Sequence, residues 1–415
     1  MAIWSELRAM NSVQRKVVTA SFLGWTLDAF DYFVLTFAIK SIAAEFNVAR
    51  DEVFVAVVLT LAARPFGAFV FGLLADRYGR RPMLMIDVAL FSLFELASAF
   101  APSLGVLLVL RTLFGFAMGG EWGLGASLTM ESIPAGTRGF VSGLLQEGYA
   151  CGNLLAAALF GLLFDHIGWR GMFVVGTLPA LLVLYIRAHV PESPVWEEVR
   201  TRPVAERTGL AAMRGFWGRA VFMIVLMTLF NFFSHGSQDV YPTFLQVEHG
   251  FDTHTTSLLT IVGNVGAICG GIFFGVYSER IGRKRAIVLA ALLALPVLKL
   301  WAFSSTPVLL GLGAFAIQFM VQGAWGIVPV HLNELSPDAV RATLPGFTYQ
   351  IGNLISSPAI WVLPYLAEHN DRQYGVTMAV FIAAVAVLLA IVTALGPEAK
   401  GQRFGRATPE PVPAD

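Results

Sequence analysis

Twelve apolar stretches of roughly 20 residues, the length an α-helix needs to cross ~30 Å of hydrocarbon, recur along this chain. Only 13% of the 415 residues are charged, whereas a soluble domain has about 25%. We therefore predict an all-α membrane protein with twelve transmembrane helices. In chain order, segments 1 to 12 are residues 17–40, 52–75, 83–101, 104–130, 137–164, 168–190, 218–246, 255–278, 286–303, 306–333, 340–367 and 373–395.

One long polar interval divides the chain. It predicts an N-terminal six-helix bundle at 1–190, a cytoplasmic linker at 191–217, and a C-terminal bundle with a short tail at 218–415. Most of the 28 Lys and Arg residues lie on the side that holds both termini when the segments alternate across the bilayer. The positive-inside rule makes that side cytoplasmic. We expect an integral protein of a bacterial inner membrane.

Several classes of function are disfavoured. The formal net charge is zero, so nothing indicates a nucleic-acid partner. No nucleophile–base pair, metal-ligand spacing or phosphate-binding loop is apparent. We expect no enzyme, no metal and no cofactor, with protons as the coupling ion.

The two halves carry the same pattern 203 residues apart. Residues 72–81 read GLLADRYGRR and residues 275–284 read GVYSERIGRK. The same offset relates Trp122 to Trp325. A parallel duplication of six helices is typical of transporters that work by alternating access.

The loop 72–81 resembles the signature between helices 2 and 3 of the major facilitator superfamily. Residues 111–119, RTLFGFAMG, resemble its helix 4 motif. The resemblance implies two pseudo-symmetric six-helix bundles and makes the loop charges an interdomain latch. A solvated turn is the simpler alternative for those charges. The candidate gating residues are Asp76, Arg77, Arg80, Glu131, Arg138, Arg280, Glu334 and Arg341.

Segment 7 contains more polarity than a membrane helix usually retains. Asn231, Ser234, His235, Gln238 and Asp239 follow the spacing i, i+3/i+4, i+7/i+8, which places side chains on one helix face. A charge at mid-bilayer costs about 2.5–3.5 kcal/mol on insertion scales and usually faces a cavity. We predict that the amides and hydroxyl contact substrate and that His235 and Asp239 are proton-coupling groups. Hydrogen bonding between helices is the alternative.

Residues 231–243 also closely resemble the helix 7 signature of Jen-type lactate/pyruvate–proton symporters, in the sialate:proton symporter family. Residues 119–123, GGEWG, and 28–31, DAFD, are similar to the same family. The resemblance implies import of a short monocarboxylate coupled to protons. The helix 4 sequence is shared with sialic acid and organic acid carriers.

Charged residues also occur inside the N-terminal segments. Arg64 offers a planar fork that matches a carboxylate, so we predict substrate binding. The alternative is a structural ion pair with Asp28 or Asp31, which are themselves candidate proton carriers. Glu121 is either a proton-coupling group or a partner for Arg111.

Two further stripes of polar residues lie on segments 5 and 11. A neutral amide binds a carboxylate or a hydroxyl without adding a competing charge, although helix packing is the alternative. The candidate substrate-binding residues there are Gln146, Tyr149, Tyr349, Gln350 and Asn353.

These patterns predict proton-coupled symport of a short monocarboxylate, lactate or pyruvate first. The expected partners are a small organic acid anion, a proton and the lipid bilayer, and we expect a monomer. A carrier of a larger acid, such as sialic acid or an aromatic acid, is one alternative. A nutrient sensor that does not transport is another, which the short terminal extensions disfavour.

Overall fold

A computed structural model describes residues 2–201, 215–371 and 373–405. Positions 202–214 of the predicted linker lie outside the described residues. The described ranges are helical and contain no strand. The helices are α1 Ala2–Ala9, α2 Ser12–Phe46, α3 Arg50–Tyr78, α4 Arg80–Ala99, α5 Leu104–Met118, α6 Glu121–Ser132, α7 Arg138–Gln146, α8 Gly148–Val175, α9 Pro179–His189, α10 Pro194–Arg200, α11 Trp217–Gln238, α12 Tyr241–Val247, α13 Thr253–Ile281, α14 Arg283–Ala302, α15 Pro307–Trp325, α16 Val328–Leu335, α17 Leu344–Ser356, α18 Ala359–Glu368 and α19 Tyr374–Leu395.

The described helices account for the twelve predicted segments. Ten stretches are long and apolar enough to cross a bilayer. One of them, Ala135–His189, holds both segments 5 and 6, and Gly168 breaks the helix between them with a φ of 63°. Segment 11 is shared by the shorter helices α17 and α18. The expected all-α fold of twelve membrane helices is therefore confirmed.

Several predicted boundaries and continuities are wrong. The first membrane helix, α2, extends well beyond residues 17–40. Asn11 extends it at the start, because its side chain accepts a hydrogen bond from the Gln14 amide in a capping box. Segments 4, 5, 7, 10 and 11 are each divided into two helices. Pro242 and Pro329 stand in the first turn of the second helix of their segments, where proline is tolerated.

The packing of α5 on α3 positions the predicted substrate anchor. A Cβ at Gly115 would overlap the carbonyl of Thr60, and one at Gly119 would overlap the carbonyl of Arg64. Only glycine permits this close approach of two helix backbones. The two glycines of the RxxxGxxxG pattern therefore hold α3 against α5 at the level of Arg64.

Large apolar side chains cover the outside of the bundle. A soluble protein rarely exposes contiguous apolar surface of this kind, whereas a lipid-facing surface requires it. The protein is thus an integral membrane protein. The most exposed apolar residues include Phe66, Leu162, Leu184, Val308 and Val380.

Candidate functional site

A cavity of about 370 Å³ lies between the two halves, within the range of small-molecule sites. Its wall draws on α2, α3, α7 and α8 from the N-terminal half and on α11, α13, α15, α17 and α18 from the C-terminal half. We call the end of the bundle that carries the loops at Gly79 and Gly282 the basic end. Phe54 and Trp361 bridge the halves on the other side of the cavity, with ring centroids 5.5 Å apart.

Arg64 lies on the cavity wall, as the sequence predicted, and is 5% exposed. One terminal nitrogen, Nη2, lies 3.4 Å from Asp28 Oδ1 and 2.7 Å from Met118 Sδ. Its Nε has no hydrogen-bond partner among the described residues. The Tyr32 ring lies 5.7 Å away. Protein groups therefore leave part of the hydrogen-bonding capacity of the guanidinium unused.

The polar residues of segment 7 form a network with the rest of the C-terminal half. His235 Nδ1 lies 2.8 Å from Asp239 Oδ2, and Nε2 lies 3.2 Å from Asn353 Oδ1. Gln238 donates to Gln318 at 2.9 Å. The cavity is lined by all five residues of the predicted stripe on segment 7, Asn231, Ser234, His235, Gln238 and Asp239, and by Asn353 of α17.

The remaining predicted substrate contacts divide into two groups. The lining contains Asn231, Ser234, Gln146, Tyr149 and Tyr349. By contrast, the structure places Gln350 outside this lining, buried and with an unpartnered Oε1.

An aromatic cluster packs at the cavity wall, where Trp25, Tyr149, Trp325 and Tyr349 are lining residues. Tyr349 contacts Trp122 at a centroid distance of 4.7 Å, Trp325 at 5.8 Å and Trp25 at 6.2 Å. Tyr149 contacts Trp25 at 5.8 Å. Because Tyr349 belongs to the C-terminal half and Trp25 to the N-terminal half, these rings join the two bundles at the cavity surface.

Three predicted proton carriers lie behind the cavity wall. Asp28 pairs with Arg64, whereas both oxygens of Asp31 lack a hydrogen-bond partner among the described residues. Glu121 is 1% exposed and does not pair with Arg111. That alternative is wrong, because Arg111 pairs with Glu95 at 2.6 Å.

The halves are latched at the basic end by the duplicated acidic residues. Asp76 accepts hydrogen bonds from the Ala342 amide at 3.0 Å, the Thr343 amide at 3.1 Å and the Thr343 hydroxyl at 2.6 Å. Glu279, which lies 203 residues after Asp76, accepts from the Gly139 amide at 2.6 Å. The same offset separates Gly139 from Ala342, so the two contacts are related by the repeat.

Ion pairs support this latch within each half. Arg80 pairs with Asp76 at 3.1 Å and with Glu131 at 3.1 Å. In the other half, Arg283 pairs with Glu334 at 2.9 Å. One pair crosses between the halves, from Arg341 to Glu131 at 3.6 Å.

Three predicted gating arginines are held differently. Arg138 donates to the carbonyls of Met130 and Gln402 rather than to a carboxylate. In the described ranges, the side chains of Arg77 and Arg280 form no ion pair.

The end of the described chain packs over the latch. The Phe404 ring lies 3.7 Å from the Arg138 guanidinium and 3.8 Å from that of Arg341. One arginine comes from each half, so the ring joins them through two cation–π contacts.

The structure adds functional candidates that the sequence reasoning missed. Tyr32, Glu147, Asn264 and Gln322 line the cavity, and Gln322 donates to Ser234 at 3.1 Å. Asp28 was predicted because it is a carboxyl inside an apolar segment. The same pattern applies to Glu147, so the sequence could have predicted it too.

Comparison with known proteins defines the class. The family model described as Major Facilitator Superfamily matches residues 21–364. The chain therefore belongs to the Major Facilitator Superfamily, as the loop motifs predicted. Its fold matches that of the proton:xylose symporter XylE with a TM-score of 0.75, at 21% identity, over 95% of this chain and 98% of that one.

Curated relatives cover nearly the whole chain. The sialic acid transporter NanX of Escherichia coli (strain K12) is 30% identical over 401 residues, 96% of this chain and 97% of the relative. A carboxylic acid transporter protein homolog of Saccharomyces cerevisiae is 28% identical over 417 residues, 94% of this chain and 67% of the relative. Both are described as transporters, which confirms the expectation that the chain is not an enzyme.

Proposed function

We propose that this protein is a proton-coupled symporter of organic monocarboxylates that works by alternating access. The observation that carries the proposal is Arg64, a buried guanidinium on the cavity wall that pairs with Asp28 and whose Nε has no hydrogen-bond partner among the described residues. The relatives named above as sialic acid and carboxylic acid transporters support an organic acid as substrate.

Arg64 and Asp28 suggest how acid and proton are coupled. The guanidinium presents several N–H donors in one plane, which suits two carboxylate oxygens. An incoming carboxylate competes with Asp28 for Arg64, and an aspartate that loses its partner in an apolar setting favours protonation. One proton then accompanies one anion, and the loaded site adds no net charge when the cavity closes.

The C-terminal wall supplies polar groups that bind the rest of the substrate. Asn231, Gln238 and Asn353 offer neutral amides for a hydroxyl or keto group. His235 and Asp239 form a hydrogen-bonded pair that provides a second place for a proton. Substrate thus contacts both halves at once, as alternating access requires.

Two candidate substrate classes follow from different observations. Lactate or pyruvate is supported by the resemblance of residues 231–243 to Jen-type symporters. A larger, planar acid is supported by the rings of Trp25, Tyr149, Trp325 and Tyr349, which offer apolar faces to a conjugated or aromatic body.

The positive loops and the latch at the basic end support one orientation of the protein in the membrane. With the basic end in the cytoplasm, the positive loops follow the positive-inside rule. The contacts of Asp76 and Glu279 then close the cytoplasmic side, and the Phe54–Trp361 contact is the one that must open for the cavity to receive substrate from outside. We propose a monomer in a bacterial inner membrane.

Counterflow in proteoliposomes tests the proposal. Vesicles loaded with unlabelled lactate, pyruvate, sialic acid or benzoate are diluted into the same labelled acid. We expect saturable uptake of at least one acid, faster at acidic external pH. Absence of saturable counterflow for every acid in the panel would contradict an organic-acid carrier.

A further inference from the structure

Among the described residues that line the cavity, two carry a carboxyl group, Asp239 and Glu147. Asp239 is paired with His235 at 2.8 Å. Glu147 is 5% exposed, and its Oε1 has no hydrogen-bond partner in the described part of the chain. A buried carboxylate without partners is costly in its ionised form. Its retention in a transport cavity therefore calls for a role.

The position of Glu147 relative to the other half is informative. Gly139, Gly143 and Glu147 are spaced i, i+4, i+8, which places them on one face of segment 5. A Cβ at Gly139 would overlap the Gly275 carbonyl, and one at Gly143 would overlap the Gly271 carbonyl. Here α7 of one half crosses α13 of the other at backbone contact.

Glu147 is the next residue on that face, just beyond the crossing. A Cβ at Gly271 would overlap Glu147 Oε1, so the carboxyl lies directly against the α13 backbone. Glu147 is also one of the residues that line the cavity. The carboxyl thus marks the boundary where contact between the halves ends and the cavity begins.

Charged neighbours do not neutralise this carboxyl. Cys151, on α8, interacts with it electrostatically. Across the described residues, no side chain forms an ion pair or hydrogen bond with the Glu147 carboxyl. Titratable or charged side chains on the elements packed against α7 include Asp28, Asp31 and Tyr32 of α2, Glu121 and Glu131 of α6, Cys269, Tyr277, Glu279 and Arg280 of α13, and His331 and Glu334 of α16.

We propose that the Glu147 carboxyl receives the co-transported proton from the Arg64–Asp28 site through cavity water and releases it at the moving interface between the halves. This inference rests on the proposed function and adds a coupling residue to it. A proton from cavity water forms the O–H bond on Glu147. When α7 and α13 separate, the carboxyl meets water at the basic end, and the same bond breaks as the proton leaves to that water. The repeat counterpart, 203 residues on, is Gln350, an amide that cannot do this.

Glu147→Gln gives a permanently neutral side chain of the same shape. Counterflow exchanges substrate without net proton movement, so we expect it to stay within about threefold of wild type, whereas uptake driven by a pH gradient falls about tenfold or more. Glu147→Asp keeps a carboxyl and should keep gradient-driven uptake. Asp87→Asn is the matched control, because Asp87 is also buried but does not line the cavity, and it should keep both activities.

The outcomes distinguish failure of the role of Glu147 from failure of the proposed function. Gradient-driven uptake at the wild-type level in Glu147→Gln overturns the role of Glu147, as does equal loss in Asp87→Asn. Loss of both activities in a Glu147→Gln protein with an unchanged melting temperature also overturns it, since binding rather than coupling has then failed. Absence of counterflow in the wild type contradicts the proposed function itself.

Discussion

The two halves share their latch but not their buried charges. Asp76 and Glu279 make equivalent contacts at the basic end. Inside the membrane, the N-terminal half buries Asp28, Asp31, Arg64, Asp87, Glu95, Arg111 and Glu121, whereas the positions 203 residues later are Asn231, Ser234, Ala267, Ala290, Leu298, Ala314 and Ala324. The duplication therefore retained the contacts between the halves at the basic end, while buried charge is concentrated in the N-terminal half.

The largest expected effect is a loss of stability when one residue of the buried Arg111–Glu95 pair of the N-terminal half is replaced by the residue at the equivalent position of the C-terminal half. Arg111→Ala leaves Glu95 buried without its partner, and breaking a buried pair in this way costs about 3–5 kcal/mol. Arg111→Ala with Glu95→Leu reproduces Ala314 and Leu298 and should recover at least part of the loss. Thermal unfolding in detergent measures both variants.

The single variant Glu95→Leu completes the double-mutant cycle, because it leaves Arg111 unpaired. If the double variant loses as much stability as the two single variants together, the pair is not coupled and the comparison of the two cores fails.

Arg64→Ala likewise reproduces Ala267 of the other half. A hydrogen bond to a charged group contributes about 1.5–3 kcal/mol, so we expect the apparent affinity for the acid to fall roughly 10- to 100-fold. Arg64→Lys keeps the charge without the planar fork, so its apparent affinity should lie between those of the wild type and Arg64→Ala. Concentration dependence of counterflow gives the values, and unchanged affinity in Arg64→Ala would remove Arg64 from the binding site.

The shared latch is not equally strong on its two sides. Asp76 receives three hydrogen bonds from the other half, and Glu279 receives one. Asp76→Asn should shift the population towards the state open at the basic end by about tenfold, roughly 1.4 kcal/mol, and Glu279→Gln by less.

Spin labels at the exposed positions Asp51 and Asn370 report this shift as a change in the distance between the halves. Equal distance distributions for the two variants would mean that the number of cross-bonds does not set latch strength.

The smallest effect is expected at Phe404, which touches one arginine from each half. Each cation–π contact is worth about 0.5–1 kcal/mol at an exposed site. Opening at the basic end separates the ring from only one of the two arginines, so Phe404→Ala should shift the same distance distribution less than Asp76→Asn does. Phe404→Tyr keeps the ring and should behave like wild type; an equal shift in both variants would argue against the ring contact.

Hydropathy and the 203-residue repeat were sufficient for the fold, because bilayer thickness fixes helix length and duplication fixes connectivity. The polar face of α11 was predictable because residues spaced i, i+3/i+4 and i+7/i+8 share one face of a helix. The partners of the buried charged side chains were harder to predict. Helical spacing cannot tell whether Arg111 meets Glu121 or Glu95, since both lie on other helices. Gln350 and Gln146 looked alike in sequence, yet only Gln146 lines the cavity, because rotation about a helix axis depends on packing.

Simultaneous recording of proton and acid movement tests proton-coupled organic-acid symport most directly. Proteoliposomes containing a trapped pH dye receive a labelled acid that shows counterflow, with protein-free vesicles and Arg64→Ala as controls for passive entry of the undissociated acid. We expect acidification of the lumen that follows protein-dependent uptake. Protein-dependent accumulation of the acid without acidification would contradict proton coupling.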